Sequence, residues 1–283
     1  MVNLARPPPM RHLRPMTIEP IRAGELSPVA ALVRRHDPDR FFTALFAPTE
    51  HREALFVLYA FNHELARARE VVREPMLALI RLQWWREVVE GARRRHEVAG
   101  PLGDLLAARA LHVPDLLAMI AAREMEVDAQ IVTRAEFLAY LDGAAGGLAV
   151  AAGRLLGAGD ELVERLRELG AAFGLAGQLR SVAALAGQGR CLLPADVLGA
   201  HGLTVDVLVA GGPHDRLRPV LDDLATDGRR MLRDAGGWLP RNIIAAALPA
   251  VLARRDLRRP GARMPRRLGD RLAVTAAALA GRV

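Results

Sequence analysis

The sequence predicts an all-α fold, and three observations carry that prediction. Apolar residues recur at spacings of three, four and seven, the period of a helix with one buried face. Prolines stand repeatedly where a helix would take its first residue. No segment alternates apolar and polar residues as a half-buried strand does. Composition agrees: hydrophobic residues make up 51% of the chain and aromatics 4%. The core must therefore be built from Leu, Ala and Val, a mix that favours helix-on-helix packing over a sheet.

Residues 1–26 read as a basic, proline-rich, disordered leader with Arg6, Arg11 and Arg14, prolines at 7 to 9 and no apolar centre. That pattern is not a secretory signal, and three successive prolines oppose an amphipathic helix. Residues 27–283 then read as one helical domain. Ser27-Pro28 supplies an N-cap followed by proline. Pro48-Thr49-Glu50 opens the next helix, with Leu55, Leu58, Phe61, Leu65 and Val72 on its stripe. Pro75 starts another, with Leu77, Ile80, Trp84 and Val88 in line, and Pro114 begins one through Met119 to Met125. Thr133 and Glu136 have capping-box spacing ahead of Phe137 and Leu141. Gly146-Gly147 is expected to interrupt that helix, and a long helix runs from Asp160 to about Ala186. After the loop from Gly189 to Pro194 and a break at Gly211-Gly212-Pro213, helices are expected over 216–235, 241–256 and 266–280.

The formal net charge is +7 and every basic residue is arginine, because the chain contains no lysine. A GC-rich coding sequence gives that bias whatever the function. The arginines also alternate with acids, as in Arg67, Arg69, Glu70, Arg73 and Glu74, which is how a solvated helix face reads. Nucleic acid is therefore not an expected partner. Two basic runs, Arg93 to Arg95 and Arg254, Arg255, Arg258 and Arg259, suit either helix ends or an acidic lipid surface. The single cysteine, Cys191, excludes internal disulfides and fits a reducing compartment. No stretch reaches the ~18 unbroken apolar residues that span a bilayer.

Two segments carry a family resemblance. One runs from Arg52 to Glu70, centred on Leu58-Tyr59-Ala60-Phe61; the other runs from Gly174 to Pro194, with Leu179-Arg180, Gly189-Arg190 and Leu193-Pro194. Together they resemble the squalene/phytoene synthase family, whose enzymes join two prenyl diphosphates head to head. The resemblance implies a helical bundle with a central cavity and an Asp-x-x-x-Asp motif on each of two facing helices. Carboxylates four apart share a helix face and can chelate magnesium, which neutralises the departing diphosphate.

In this chain the acidic positions of the first motif fall on Ala66, Arg67 and Glu70, and those of the second on Ser181 and Leu185. The Gln and Asn that usually precede the second motif fall on Gly174 and Gly177, and a usual Ser before an aromatic pair falls on Arg40, ahead of Phe41 and Phe42. Only Glu70 keeps an acid, so neither a metal site nor catalytic residues are expected.

A subgroup fits more closely. Tyr59-Ala60-Phe61-Asn62-His63-Glu64-Leu65-Ala66, followed by Arg81-Leu82-Gln83-Trp84-Trp85-Arg86, resembles the non-catalytic branch that includes the mitochondrial respiratory complex I assembly factors. This implies a pseudoenzyme with protein partners in complex I assembly, cytoplasmic or peripheral on the inner membrane, and without a cofactor. Two alternatives stand beside it. One is an altered prenyl transferase that rebuilds a magnesium site from Glu70 and other acids such as Asp142. The other is an isoprenoid- or lipid-binding protein.

The candidate cavity or anion-binding residues are Arg40, Tyr59, Glu64, Arg67, Glu70, Arg180 and Arg190. Glu64, Arg67 and Glu70 form either a cavity cluster or an exposed ladder of ion pairs three apart. Arg180 and Arg190 either hold an anion through guanidinium forks or pair structurally with Glu64 or Glu70 across the cavity. Trp84 and Trp85 are adjacent and cannot share a helix face, so one of them is expected in the core. His63 has no second His or Cys at a ligand spacing, and Cys191 has no evident base.

Overall fold

Proline starts the helices, since its fixed φ and missing N–H suit a first turn. It does so in α1 (Pro28–His36), α2 (Pro38–Ala44), α4 (Pro75–Val89), α6 (Val113–Glu124), α12 (Arg218–Asp234) and α14 (Pro249–Asp256). Ser27 and Asp37 cap α1 and α2, accepting the Ala30 and Arg40 N–H groups at 3.0 and 3.1 Å. The other helices are α3 (Thr49–Glu70), α5 (Ala99–Ala107), α7 (Arg134–Leu141), α8 (Gly147–Leu155), α9 (Asp160–Ala186), α10 (Ala195–Ala200), α11 (Val205–Val209), α13 (Ile244–Ala247) and α15 (Leu268–Ala280). In α7 the expected capping box is present, with Glu136 N–H donating to Thr133 Oγ1 and Thr133 N–H to Glu136 Oε2, both at 3.1 Å.

This computed structural model describes residues 26–70, 74–127, 130–212, 214–262 and 264–283. The leader before Leu26, together with Val72, Arg73 and Pro213, lies outside the described residues. So do the side chains of Glu70, His214 and Asp215. Among the described residues there is no strand beyond an isolated bridge between Trp238 and Arg282.

Two boundaries differ from the sequence expectation. Gly146-Gly147 does not interrupt the chain's helical course: Asp142–Gly146 forms a π-helical turn that carries α7 directly into α8. The helix expected over 241–256 is divided at Leu248, where Pro249 removes an N–H and begins α14.

The centre of the molecule is α9, 27 residues long and packed against the π turn, α8, α12 and α14. By length and composition alone α9 could cross a membrane, but half of its apolar window is buried within the fold. Two glycines set its approach to the π turn. A Cβ on Gly174 would collide with Cβ of Ala145, and one on Gly170 would stand 2.6 Å from the Ala145 carbonyl. Around this axis Leu55, Leu58, Phe61 and Leu65 of α3 and Leu166, Leu169, Leu175 and Leu179 of α9 all belong to one apolar core. Each such side chain contributes about 1.5–3 kcal/mol on burial.

Charge also ties the helices together. Arg266, just before α15, donates to Asp39 of α2 and Asp256 of α14 at 2.7 Å each. Arg180 of α9 joins through Asp256 at 3.2 Å. Burial works against the charge on Arg266, but the Asp256 and Asp39 carboxylates outweigh it and push its pKa further up.

Candidate functional site

Helices α3, α6, α7 and α9, the α1–α2 corner and the loop after α9 enclose a cavity of about 400 Å³. The degenerate motif positions Ala66, Ser181 and Leu185 line it, as do Arg40 and Arg190. Three other candidates stand elsewhere, for a helical reason: one residue along an α-helix turns the side chain by about 100°. Arg67 is turned out of the cavity beside Ala66 and pairs with Glu64 at 3.3 Å on another face. Glu64 lines a separate pocket of about 190 Å³ with Arg81, Trp84, Trp85 and His96. Arg180, next to Ser181, points instead to Asp256. Tyr59 is buried beneath Arg40, in packing that leaves only about 10 Å³ of space, and burial pushes its phenol pKa up. Glu70 ends α3, and its side chain lies outside the described residues.

The polar centre of the cavity was not singled out by the sequence. Glu126, in the turn after α6, is buried and accepts three hydrogen bonds. Arg123 Nη1 donates to its Oε1 at 2.5 Å, Tyr140 Oη to the same oxygen at 2.7 Å, and Arg190 Nη2 to Oε2 at 3.2 Å. Arg123 Nη2 reaches Oδ1 of Asn62 on α3 at 3.2 Å, and Gln178 Nε2 on α9 reaches Tyr140 Oη at 3.4 Å. Burial would raise the Glu126 pKa, but the Arg123 charge, the Tyr140 hydrogen bond and the Arg190 charge outweigh it and hold the carboxyl below its usual range. Burial, followed by the Glu126 charge, pushes Tyr140 up, so it stays a neutral donor. The signals for this network in the sequence were Arg190, already a candidate, and Asn62, which sits inside the segment that replaces the acidic motif.

Arg40 is fixed by its own contacts. It donates to Asp37 Oδ2 at 2.7 Å and lies over the Phe173 ring, 4.8 Å from the centroid. His36, also on the cavity wall, stacks on His63 with centroids 4.4 Å apart. Burial and then the His36 charge lower the His63 pKa. Trp85 is buried and Trp84 partly so, meeting edge to face at 4.8 Å. Cys191 is buried, which raises its thiol pKa.

These residues do not fit magnesium diphosphate. Ala66, Ser181 and Leu185 present one hydroxyl and no carboxylate. The only carboxylate on the described wall is Glu126, and its two oxygens already serve Arg123, Tyr140 and Arg190. Asp142 lies off this wall, 3.7 Å from Arg167. Among the described residues, no three His, Cys, Asp or Glu side chains come close enough to hold a metal ion. The arrangement holds the Glu126 charge in place through Arg123, Tyr140 and Arg190.

Comparison with known proteins agrees with the fold and the motifs. The chain is 26% identical over 227 residues to NADH dehydrogenase (ubiquinone) complex I, assembly factor 6 of Bos taurus, covering 78% of this chain and 68% of that protein. The crystal structure of a dehydrosqualene synthase in complex with ligand superposes with a TM-score of 0.72 at 14% identity, covering 89% of this chain and 94% of that one. Squalene synthase HpnC from Alicyclobacillus acidocaldarius superposes with a TM-score of 0.62 at 19% identity, covering 89% and 92%. At these identities the superpositions show the all-α fold alone. The squalene/phytoene synthase family model matches residues 33–277. By that match the chain belongs to the squalene/phytoene synthase family.

Proposed function

We propose that this chain is a catalytically inactive member of its family and acts as an assembly factor for respiratory complex I, at the membrane where that complex is built. The observation that carries the first part is the state of the cavity. Where the enzymes of the family hold metal-binding acids, Ala66, Ser181 and Leu185 line the wall, and the remaining described carboxylate is consumed by arginines and a tyrosine. Breaking those contacts to free Glu126 for a metal would take the carboxylate from two part-buried guanidinium groups, which is costly. The assembly role is supported by similarity to proteins named complex I assembly factor 6. Its partners are then subunits or other assembly proteins of that complex.

Deletion of the gene tests the role. Blue-native electrophoresis of membranes from the deletion strain is expected to show less mature complex I, restored by the intact gene. Normal assembly would remove the role. Incubation of the purified protein with farnesyl diphosphate and magnesium is expected to release no diphosphate, and steady turnover would overturn the inactive reading.

A further inference from the structure

The distribution of charge is uneven. Residues 249–283 hold nine arginines and two aspartates, a surplus of seven that equals the formal net charge of the whole chain. The preceding 248 residues balance, with thirty arginines against thirty acids. Both aspartates of the C-terminal stretch are already paired, Asp256 with Arg180 and Arg266, and Asp270 with Arg255. Asp39 of α2 also pairs with Arg266, but Arg258, Arg259, Arg267 and Arg271 are all exposed.

An apolar stripe runs through the same surface. Leu268, Leu272 and Leu279 of α15 are 71%, 59% and 71% exposed. Their spacing places them within about 40° of one another around the helix. The helix is held to the protein on its other side by Val274 and Ala278. Trp238, 67% exposed, stands at one end of the stripe through its bridge to Arg282, and Met264, 50% exposed, stands at the other. Monomeric proteins seldom line up side chains of this size in water without a partner.

We propose that this face docks on an anionic lipid bilayer, with the leucines and Trp238 entering the interface and the arginines meeting lipid phosphates. Charge decides the occupant. A second copy would bring the same positive surface against itself, whereas an acidic bilayer compensates the arginines and takes up a convex apolar stripe without needing a matching groove. Trp238 has the amphipathic ring that settles at such a boundary.

The inference stands apart from the assembly role, since its vesicle-binding test contains no complex I. The full chain is floated with phosphatidylcholine vesicles and with vesicles in which phosphatidylglycerol replaces part of the phosphatidylcholine. Binding is expected only to the second kind, weakened by salt. Arg258→Gln/Arg259→Gln/Arg267→Gln is expected to lower it about 100-fold, and Leu268→Ser/Leu272→Ser/Leu279→Ser at least about tenfold. As a readout that leaves the stripe intact, a blue shift of tryptophan emission on binding is expected in the natural chain and is lost in Trp238→Phe. Equal binding to both vesicle types, no binding, or binding indifferent to the leucines and to Trp238 overturns the proposal. If vesicles are not bound and the leucine variant instead dissolves a dimer, the stripe belongs to a second copy. If vesicles are not bound and that variant instead blocks complex I assembly in cells, it belongs to a protein.

Discussion

Arg190, in the loop after α9, donates through Nη2 to Oε2 of Glu126, 64 residues earlier in the chain, at 3.2 Å. The contact ties the loop after α9 to the turn after α6 across the cavity wall. Arg123 and Tyr140 occupy the other oxygen, so the carboxylate serves the fold from both sides.

Glu126→Gln keeps the shape of the side chain but removes the negative charge that Arg123 and Arg190 share there. A loss of about 3 kcal/mol in unfolding free energy is expected, measurable by urea denaturation at neutral pH. Because the folded pKa of Glu126 lies below its unfolded value, its contribution is complete above about pH 4.3 and fades as pH falls through the folded value. The acid limb of the stability profile should therefore flatten in the variant.

His63 behaves differently, over a higher pH window. Its pKa is lowered by burial and then by His36, against opposing pulls from Glu64 and Asp37, while Arg67 adds to the lowering. The neutral ring is favoured in the folded state, so stability is full above about pH 6.5 and falls as pH drops through the depressed folded value. Thermal unfolding at about pH 7.5 and about pH 5.5 should show this loss in the natural chain and a smaller one in His63→Gln.

Two glycines on one helix should answer oppositely to the same change. Gly174→Ala drives a methyl into Ala145 and is expected to cost about 2 kcal/mol. Gly177→Ala meets nothing within 4 Å and should stabilise the chain by about 0.5–1 kcal/mol through helix propensity alone. Chemical denaturation of both variants checks the contrast.

Magnesium with a non-hydrolysable diphosphate analogue should leave the melting temperature within about 1 °C of its value without them, because a ligand stabilises only the state that binds it. A rise of several degrees would assign the cavity a metal-diphosphate site after all.

Much of the architecture was legible because proline, Ser27 and the Thr133–Glu136 pair act locally, through the first turn of the helix they start. The cavity positions Ala66, Ser181 and Leu185 were legible from motif spacing, which fixes helix face. Their neighbours were harder to place. Arg67 and Arg180 stand one residue away in sequence and about 100° away in space. Glu126 was hidden for a different reason. Between Arg123, Glu124 and Asp128 it reads as one charge in a solvated run, and only long-range contacts to Asn62, Tyr140 and Arg190 through the network make it the buried centre.

The π turn at Asp142–Gly146 holds one more residue per turn than the helices on either side. Excising a single residue there should let α7 and α8 fuse into one regular rod with the two helices still nearly in phase, because the widened turn is what absorbs the extra residue. Tyr140 would then stay directed at Glu126, whereas the same deletion in a plain α-helix would swing it by about 100°. The phase of a whole wall, and with it the aim of a phenol two residues upstream, is thus kept steady across an extra residue by one widened coil in the backbone.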